Sequence, residues 1–344
     1  MKAIILLSLV CLANIVELVQ ANKHSNLHEW THYKRQYGKI YETPEEDAQR
    51  FSLFLASKEF IRQHNANDQA TFKMGLNHMS DWAPNERVML RGRVRRRPNE
   101  QTRLSSNESK IDLFLEEEIL ANPAPVPVEL DWRRVHDRVS AVGQQGDCGS
   151  DWAFAAAGVL EGQQVVRKFS EKLIPLSKQQ LVECINDGYG CIAGYLDDAL
   201  DDIVQMGGIM SEEDYPYVGF NERAGGCAFN ESKSVMINLG HIDLPLNNDK
   251  VLKETVAKYG PVATLISPSD ELHHYRSGIF TDSSHLCRED LDLAVLIVGY
   301  GTDPSDGDYW IVKNSWSSAW GEDGYFRIRP GTCGIGQESY IAKF

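Results

Sequence analysis

Hydrophobic and polar positions along this chain follow three rhythms, and each predicts a different kind of element. The first is an apolar run, Ala3-Ile4-Ile5-Leu6-Leu7-Ser8-Leu9-Val10-Cys11-Leu12, led by Met1-Lys2 and followed by Val19-Gln20-Ala21. A basic lead, a short apolar stretch and a small residue at the end read as a secretory signal spanning 1–21. A membrane span fits less well, because Asn14 and Glu17 break the run and no later stretch is long enough. The second rhythm is helical. Thr43-Pro44-Glu45-Glu46 combines a capping residue, a proline at the first helical position and a glutamate three places on, opening a helix that turns Phe51, Phe54, Leu55 and Ile61 to one side. Ser150 is placed to cap a helix from Trp152 to Lys168, with apolar spacing at Phe154, Ala157, Leu160 and Val165. Ser177 and Gln180 form a further capping box at the head of Leu176–Cys184. The third rhythm is that of strands, in Ala294–Val298, Tyr309–Val312 and Tyr325–Ile328.

Composition narrows the function classes. A chain of 344 residues, 42% hydrophobic and 24% charged, has the length for about two domains and the apolar content for a sizeable core. Its formal net charge of −14 speaks against a nucleic-acid partner, which requires a basic footprint. Of its 7 cysteines Cys11 falls in the signal, leaving Cys148, Cys184, Cys191, Cys227, Cys287 and Cys333, an even set that suggests three disulfides in an oxidising compartment. Asn107-Glu108-Ser109 and Asn230-Glu231-Ser232 are glycosylation sequons suited to a secreted chain. No C-x-x-C pair or histidine cluster occurs, so neither a metal nor another cofactor is expected. The run Arg91-Gly92-Arg93-Val94-Arg95-Arg96-Arg97 reads either as a cleavage site or as a solvated basic stretch, and Glu116-Glu117-Glu118 with Pro123, Pro125 and Pro127 marks a connector.

One set of motifs carries a resemblance. Cys148-Gly149-Ser150-Asp151-Trp152 matches the C-G-[SA]-C-[WY] signature of papain-type cysteine proteases everywhere except at the nucleophile. The signature expects a histidine and an asparagine about 130 to 150 residues downstream. Leu291-Asp292-Leu293-Ala294-Val295-Leu296 resembles the histidine strand with Leu293 in the histidine's place, and Asn314-Ser315-Trp316 resembles the asparagine motif. Leu130-Asp131-Trp132-Arg133 resembles the start of the mature domain. Upstream, Glu46, Arg50, Phe54, Ile61 and Asn65, with Ser57 for an asparagine, and Gly75, Asn77 and Asp81, with Met79 for a phenylalanine, resemble a cathepsin L-like inhibitory propeptide. The resemblance implies an α+β, two-lobed papain-like fold, with a helical left lobe, a barrel-like right lobe and an N-terminal helical propeptide. It implies a propeptide over 22–125 and a papain-like domain over 126–344. It pairs Cys148 with Cys191, Cys184 with Cys227 and Cys287 with Cys333.

The same alignment of motifs sets the chemical expectations. In this family a thiolate attacks the peptide carbonyl beside an imidazolium, and the oxyanion is held by the nucleophile's N–H and a glutamine, here Gln145. With Asp151 for the thiol and Leu293 for the imidazole, Asn314 has no ring to orient. Because members of such a unit act together, losing even one can cost about a million-fold in turnover, and the chain is expected not to be an enzyme. Asp151 remains reasonable at a helix start, where the macrodipole favours an exposed carboxylate by about 0.3 to 1 kcal/mol. A peptide groove is expected at Gln145, Ala193, Gly194, Asp292 and Trp316, narrowed by the methyl of Ala193 where the family has a second glycine. Its occupants would be the chain's own propeptide, other peptides, active cathepsins or cystatin-like inhibitors, in a secreted or lysosomal protein. The alternatives are a structural or storage protein, a peptidase using Asp151 with Asp292 or Asp147 as a carboxylate pair, with His273 and His274 as candidate bases, and calcium binding by Asp151 and Asp292.

Overall fold

The computed structural model describes residues 24–92, 126–165, 170–185, 190–219, 226–282, 285–287 and 290–344. The signal and Asn107 lie outside the described residues, as do Arg93 to Arg97.

The N-terminal unit consists of α1 (24–36), α2 (Pro44–Asn65), β1 (Phe72–Met74) and α3 (Pro84–Val88). Thr43 caps α2 as expected, its hydroxyl accepting from the Glu46 N–H at 3.1 Å. Glu46 reaches back one residue further than a capping box requires and accepts from the Glu42 N–H. Phe54 and Ile61 are buried, and Trp30, Tyr33 and Phe54 make a small aromatic core with Phe51 and Leu55 at its edge. Asp81 closes this unit from the other side. It accepts from the hydroxyls of Tyr33 and Tyr41 and pairs with Lys39 at 2.9 Å. Arg50 grips Glu86 through both terminal nitrogens, at 2.5 and 2.7 Å, tying α2 to α3.

The second unit begins with β2 (Leu130–Asp131) and has two lobes. The left lobe contains α4 (Asp151–Gln164), α5 (Lys178–Cys184), α6 (Leu196–Met206) and the paired strands β3 (Ile209–Met210) and β4 (Ser234–Met236). The helix α4, predicted to start at Trp152, starts one residue earlier, and nearly every residue in it is buried. A helix rich in small and apolar residues belongs inside a core, and this one lies between α6 and the central strand of the right lobe. Its buried Glu161 is fully satisfied, accepting from the Leu176 N–H at 2.8 Å, the Lys178 ammonium at 2.9 Å and the Ser140 hydroxyl. Ser177 caps α5 by accepting from the Gln180 N–H at 2.9 Å, while the Gln180 side chain bonds Gly208 and Met210 instead of closing a box. The three expected disulfides all form.

The right lobe comprises β5 (His241–Asp243), α7 (Asp249–Tyr259), β6 (Val262–Ile266), α8 (Asp270–His273), β7 (Tyr275–Phe280), β8 (Leu293–Asp303), β9 (Gly307–Lys313), β10 (Tyr325–Ile328) and β11 (Ser339–Ala342). The strands run β1-β7-β10-β9-β8-β6-β11-β5, with β2 against β8. The strand β8 extends well past the predicted Val298, and its first nine residues are buried, as befits a strand covered on both faces. The outermost strand on one side, β1, comes from the N-terminal unit and pairs antiparallel with β7, placing Phe72 opposite Gly278. Phe72 and Met74 thereby enter the right-lobe core.

Gly278 makes that pairing possible. Its φ is +99°, and a Cβ there would meet the Thr71 carbonyl oxygen at 2.5 Å and Phe72 Cα at 2.7 Å. Gly278→Ala is expected to push β1 off β7 while leaving the rest of the sheet intact. Hydrogen exchange should rise by about tenfold or more at the amides of Phe72–Met74 and stay unchanged in β8 and β9. Equal acceleration in all three strands would show that the N-terminal unit is not separately attached.

Candidate functional site

Four backbone segments converge on the start of α4. Gln145 and Cys148 lie just before it, and Gln145 is fixed by the adjoining loop, its N–H donating to the Ser315 carbonyl at 2.9 Å and its Oε1 accepting from the Ser315 hydroxyl at 2.6 Å. The Cys148–Cys191 disulfide brings in the turn carrying Ala193 and Gly194. The entry to β8 supplies Asp292, Leu293 and Ala294, and the loop after β9 supplies Asn314, Ser315 and Trp316. The structure thus brings together every residue expected in the groove.

Asp151 sits at the meeting point with 1% of its surface exposed. Its Oδ2 accepts from the Ala294 N–H and its Oδ1 from the Gly92 N–H, both at 2.6 Å. Burial is the dominant influence on this group and pushes its pKa up to about 7, against the pull of those N–H donors and with the nearby charge of Asp292 adding to the rise. The picture of an exposed carboxylate favoured by the helix dipole is therefore corrected: desolvation outweighs the dipole. Ser150 is corrected too. It precedes the helix but makes no side-chain cap, because its hydroxyl is engaged with Tyr217 at 2.6 Å. Behind Asp151, between α4 and strands β8 and β9, lies a cavity of about 270 Å³ bordered by Glu161, Lys178, Lys313 and Asn314.

The groove is occupied by residues that the sequence did not mark as part of it. Leu90, Arg91 and Gly92 cross it directly. The Leu90 carbonyl accepts from Gln145 Nε2 at 3.0 Å, so the amide expected to hold an oxyanion holds a peptide carbonyl, together with that of Cys148 at 2.7 Å. The Arg91 guanidinium pairs with Asp292 at 3.2 Å and donates to the Pro268 carbonyl at 3.3 Å. The Gly92 carbonyl accepts from the Gly194 N–H at 2.5 Å. Ala193, whose methyl was expected to narrow the groove, is fully buried, and the contact at Gly194 forms beside it. Arg91 is likewise no solvated surface charge, since its side chain is only 6% exposed. The one signal that singled out this segment was a glycine inside an arginine run.

Leu293 is fully buried in the right-lobe core, in register with Ile266. Asn314 accepts from the Ser315 N–H at 2.8 Å, and its Nδ2 is buried with no hydrogen-bond partner among the described residues. The Trp316 ring stacks on His273, with centroids 5.1 Å apart and planes at 9°. His273 and His274 are buried, and desolvation aided by the Arg87 charge pushes both down to about 3. They stay neutral at pH 5, which makes them weak bases. Asp147, an alternative partner for Asp151, is exposed, whereas Asp151 is buried. Both oxygens of Asp151 are taken by N–H donors and Asp292 faces Arg91, so the calcium site is not supported by these partners. Among the described residues the one His/Cys/Asp/Glu grouping with metal-like spacing, Asp282 with Cys287 and Cys333, involves sulfurs already joined in a disulfide.

A two-lobed protein with a groove at the head of a buried helix, filled by its own N-terminal segment, has the architecture of a protease zymogen. Residues 126–343 match the pattern "Papain family cysteine protease" and residues 30–86 match "Cathepsin propeptide inhibitor domain (I29)". The chain is 37% identical to a "Cathepsin L-like" protein of Caenorhabditis elegans over 97% of both chains, and 36% identical to "Cathepsin L" of Sarcophaga peregrina over 96% of this chain and 97% of that one. It superposes on digestive procathepsin L2 of Tenebrio molitor larval midgut with a TM-score of 0.82, at 31% identity, covering 93% of this chain and 100% of that one. The chain belongs to the papain family of cysteine proteases. These relatives correct one expectation: proteins similar over nearly the full length are named as cathepsin L proteases, and the family points to a protease where the sequence reading had expected no enzyme.

Burial of Asp151 predicts a pH dependence with a definite sign. The folded protein holds this proton up to about pH 7, whereas an unfolded chain releases it in the usual carboxylate range. The folded state therefore binds more protons in between, and stability falls as pH rises from about 4 to about 7. Relative to Asp151→Asn, the wild type should gain stability as pH is lowered across that window, by at most about 4 kcal/mol at ~1.4 kcal/mol per pH unit. Urea unfolding of both proteins at pH 7, 5.5 and 4 measures the difference, and a constant difference would rule out a raised pKa.

Proposed function

We propose that this papain-family chain uses its interlobe groove to hold an extended peptide segment, and that Asp151 and Leu293 stand in the places of the family's thiolate and imidazole. Proteolysis in this chain would then not run through a cysteine thiolate. The observation that carries the reading is the pair of 2.6 Å hydrogen bonds from Gly92 and Ala294 to Asp151, in which the side chain at the head of α4 serves as an acceptor for peptide N–H groups. Gln145 and Gly194 support it by binding the carbonyls on either side. In the same reading residues 22–125 are the propeptide, in keeping with the propeptide pattern over 30–86, and the mature domain starts near Val126. Three disulfides and an N-terminal apolar run support delivery through the secretory pathway to a lysosome or the exterior, with glycosylation at the exposed Asn230 and at Asn107. No described helix is long and apolar enough to cross a membrane. Active cathepsins and cystatin-like inhibitors are the partner classes that such a groove would meet.

In a second reading proteolysis runs on carboxylates, with burial chiefly, and Asp292 to a lesser degree, keeping Asp151 protonated towards neutral pH. Turnover of a peptide substrate at pH 5 separates the two, measured on the wild type and on an Asp151→Cys, Leu293→His double variant, each with and without a thiol-directed inhibitor. Cleavage by the double variant that the inhibitor blocks is the expected result, and it shows a groove that presents peptides to a thiol pair once one is supplied. Inhibitor-resistant cleavage by the wild type would establish the carboxylate route. Absence of both cleavage and peptide binding in either protein would remove the groove from consideration.

A further inference from the structure

The segment seen in the groove is recognised at each of its three positions, and the determinants differ in kind. At the first position a buried aliphatic side chain, Leu90 with 2% exposure, joins the right-lobe core, and its carbonyl is fixed by Gln145. At the second, Asp292 and the Pro268 carbonyl receive different nitrogens of one guanidinium, a geometry suited to a fork of donors and not to a point charge. The third position admits only glycine. A Cβ on Gly92 would lie 1.8 Å from the Gly149 carbonyl oxygen and 2.4 Å from Asp151 Oδ1, and the first of these is backbone that cannot step aside. Opposite it, Gly194 is equally constrained, since a Cβ there would fall 2.2 Å from the Trp152 ring. Two backbones approach each other here, each with its N–H or C=O engaged across the groove.

Charge points the same way. The groove sets the Asp292 carboxylate against the ligand's guanidinium, while a buried Asp151 oxygen accepts a peptide N–H. The chain as a whole carries a formal charge of −14, which favours approach of a basic peptide over an acidic one. From these contacts we infer that the groove is a receptor for an extended apolar–Arg–Gly tripeptide, occupied here by Leu90–Gly92, and that it binds the same tripeptide from another polypeptide when its own is displaced. The inference rests on the reading of the groove as a peptide-holding site and specifies its ligand.

The test uses the full chain with its own segment evicted by Gly92→Ala or, independently, by Arg91→Glu, which sets a carboxylate against Asp292. Eviction is read as accelerated hydrogen exchange at the amide of Gly194, which donates to the Gly92 carbonyl. A fluorescently labelled peptide of sequence Val-Met-Leu-Arg-Gly-Arg-Val is then titrated by anisotropy, beside one peptide with alanine for the glycine and one with methionine for the central arginine. The parent peptide should bind and restore protection at Gly194, the alanine peptide should bind about 100-fold more weakly, and the methionine peptide about tenfold more weakly. Adding Asp292→Asn to the evicted chain should abolish the difference between the parent and the methionine peptide. Equal binding of all three peptides overturns the inference and leaves a nonselective groove. Absence of binding by any peptide to a chain whose Gly194 amide exchanges freely overturns both the inference and the groove reading. Unchanged exchange in Gly92→Ala shows that alanine fits, and overturns the glycine requirement.

Discussion

A single carboxylate joins the three parts of this molecule. Asp151 belongs to the left-lobe helix, accepts one N–H from the second residue of the central right-lobe strand and another from the N-terminal segment, and does so with almost no access to water. An ionised carboxylate in such a place is sustained by hydrogen bonds to its charged form and opposed by desolvation. Much of the surrounding arrangement follows from meeting the first requirement. The disulfide at Cys148 brings Gly194 across from Gly92, Gln145 is held by Ser315 so that its amide faces Leu90, and the register of β8 aims the Ala294 N–H at the helix start.

The apolar spacing of a strand or a helix is a local property, and local properties were readable in the chain. The strand Tyr325–Ile328 lies where its pattern put it, Thr43 and Ser177 cap their helices, and the cysteines pair as the family resemblance implied. What was not readable depends on partners far away in sequence. Asp151 at a helix start is evident from its neighbours, but its burial requires Gly92, 59 residues before it, and Ala294, 143 residues after it. The hydroxyl of Ser150 is of the right type for a cap and is claimed by Tyr217, 67 residues away. Arg91 shows the same effect: an arginine in a basic run reads as solvated until an acidic partner 201 residues further on is placed beside it.

The groove motifs illustrate a different limit. Residue types at motif positions indicate which atoms could act, and the structure shows what those atoms are doing. Gln145 has the amide suited to an oxyanion, and that amide is engaged with two peptide carbonyls. Trp316 is present at its motif position, and its ring lies flat on His273. Membership of a protease family and the chemistry of one position within it are separate facts, and only the first is carried by similarity over the whole length.

The pairing of β1 with β7 also bears on what the N-terminal unit covers. On that side of the sheet β7 has β10 as its inner neighbour and β1 as its outer one. Removing β1 would turn β7 into an open edge strand, a template for pairing with another chain. Phe72 and Met74 would leave with it, uncovering part of the apolar interior beneath. The N-terminal unit thus seals an edge and a hydrophobic face, and any step that emptied the groove by removing it would leave the sheet sticky towards its own kind.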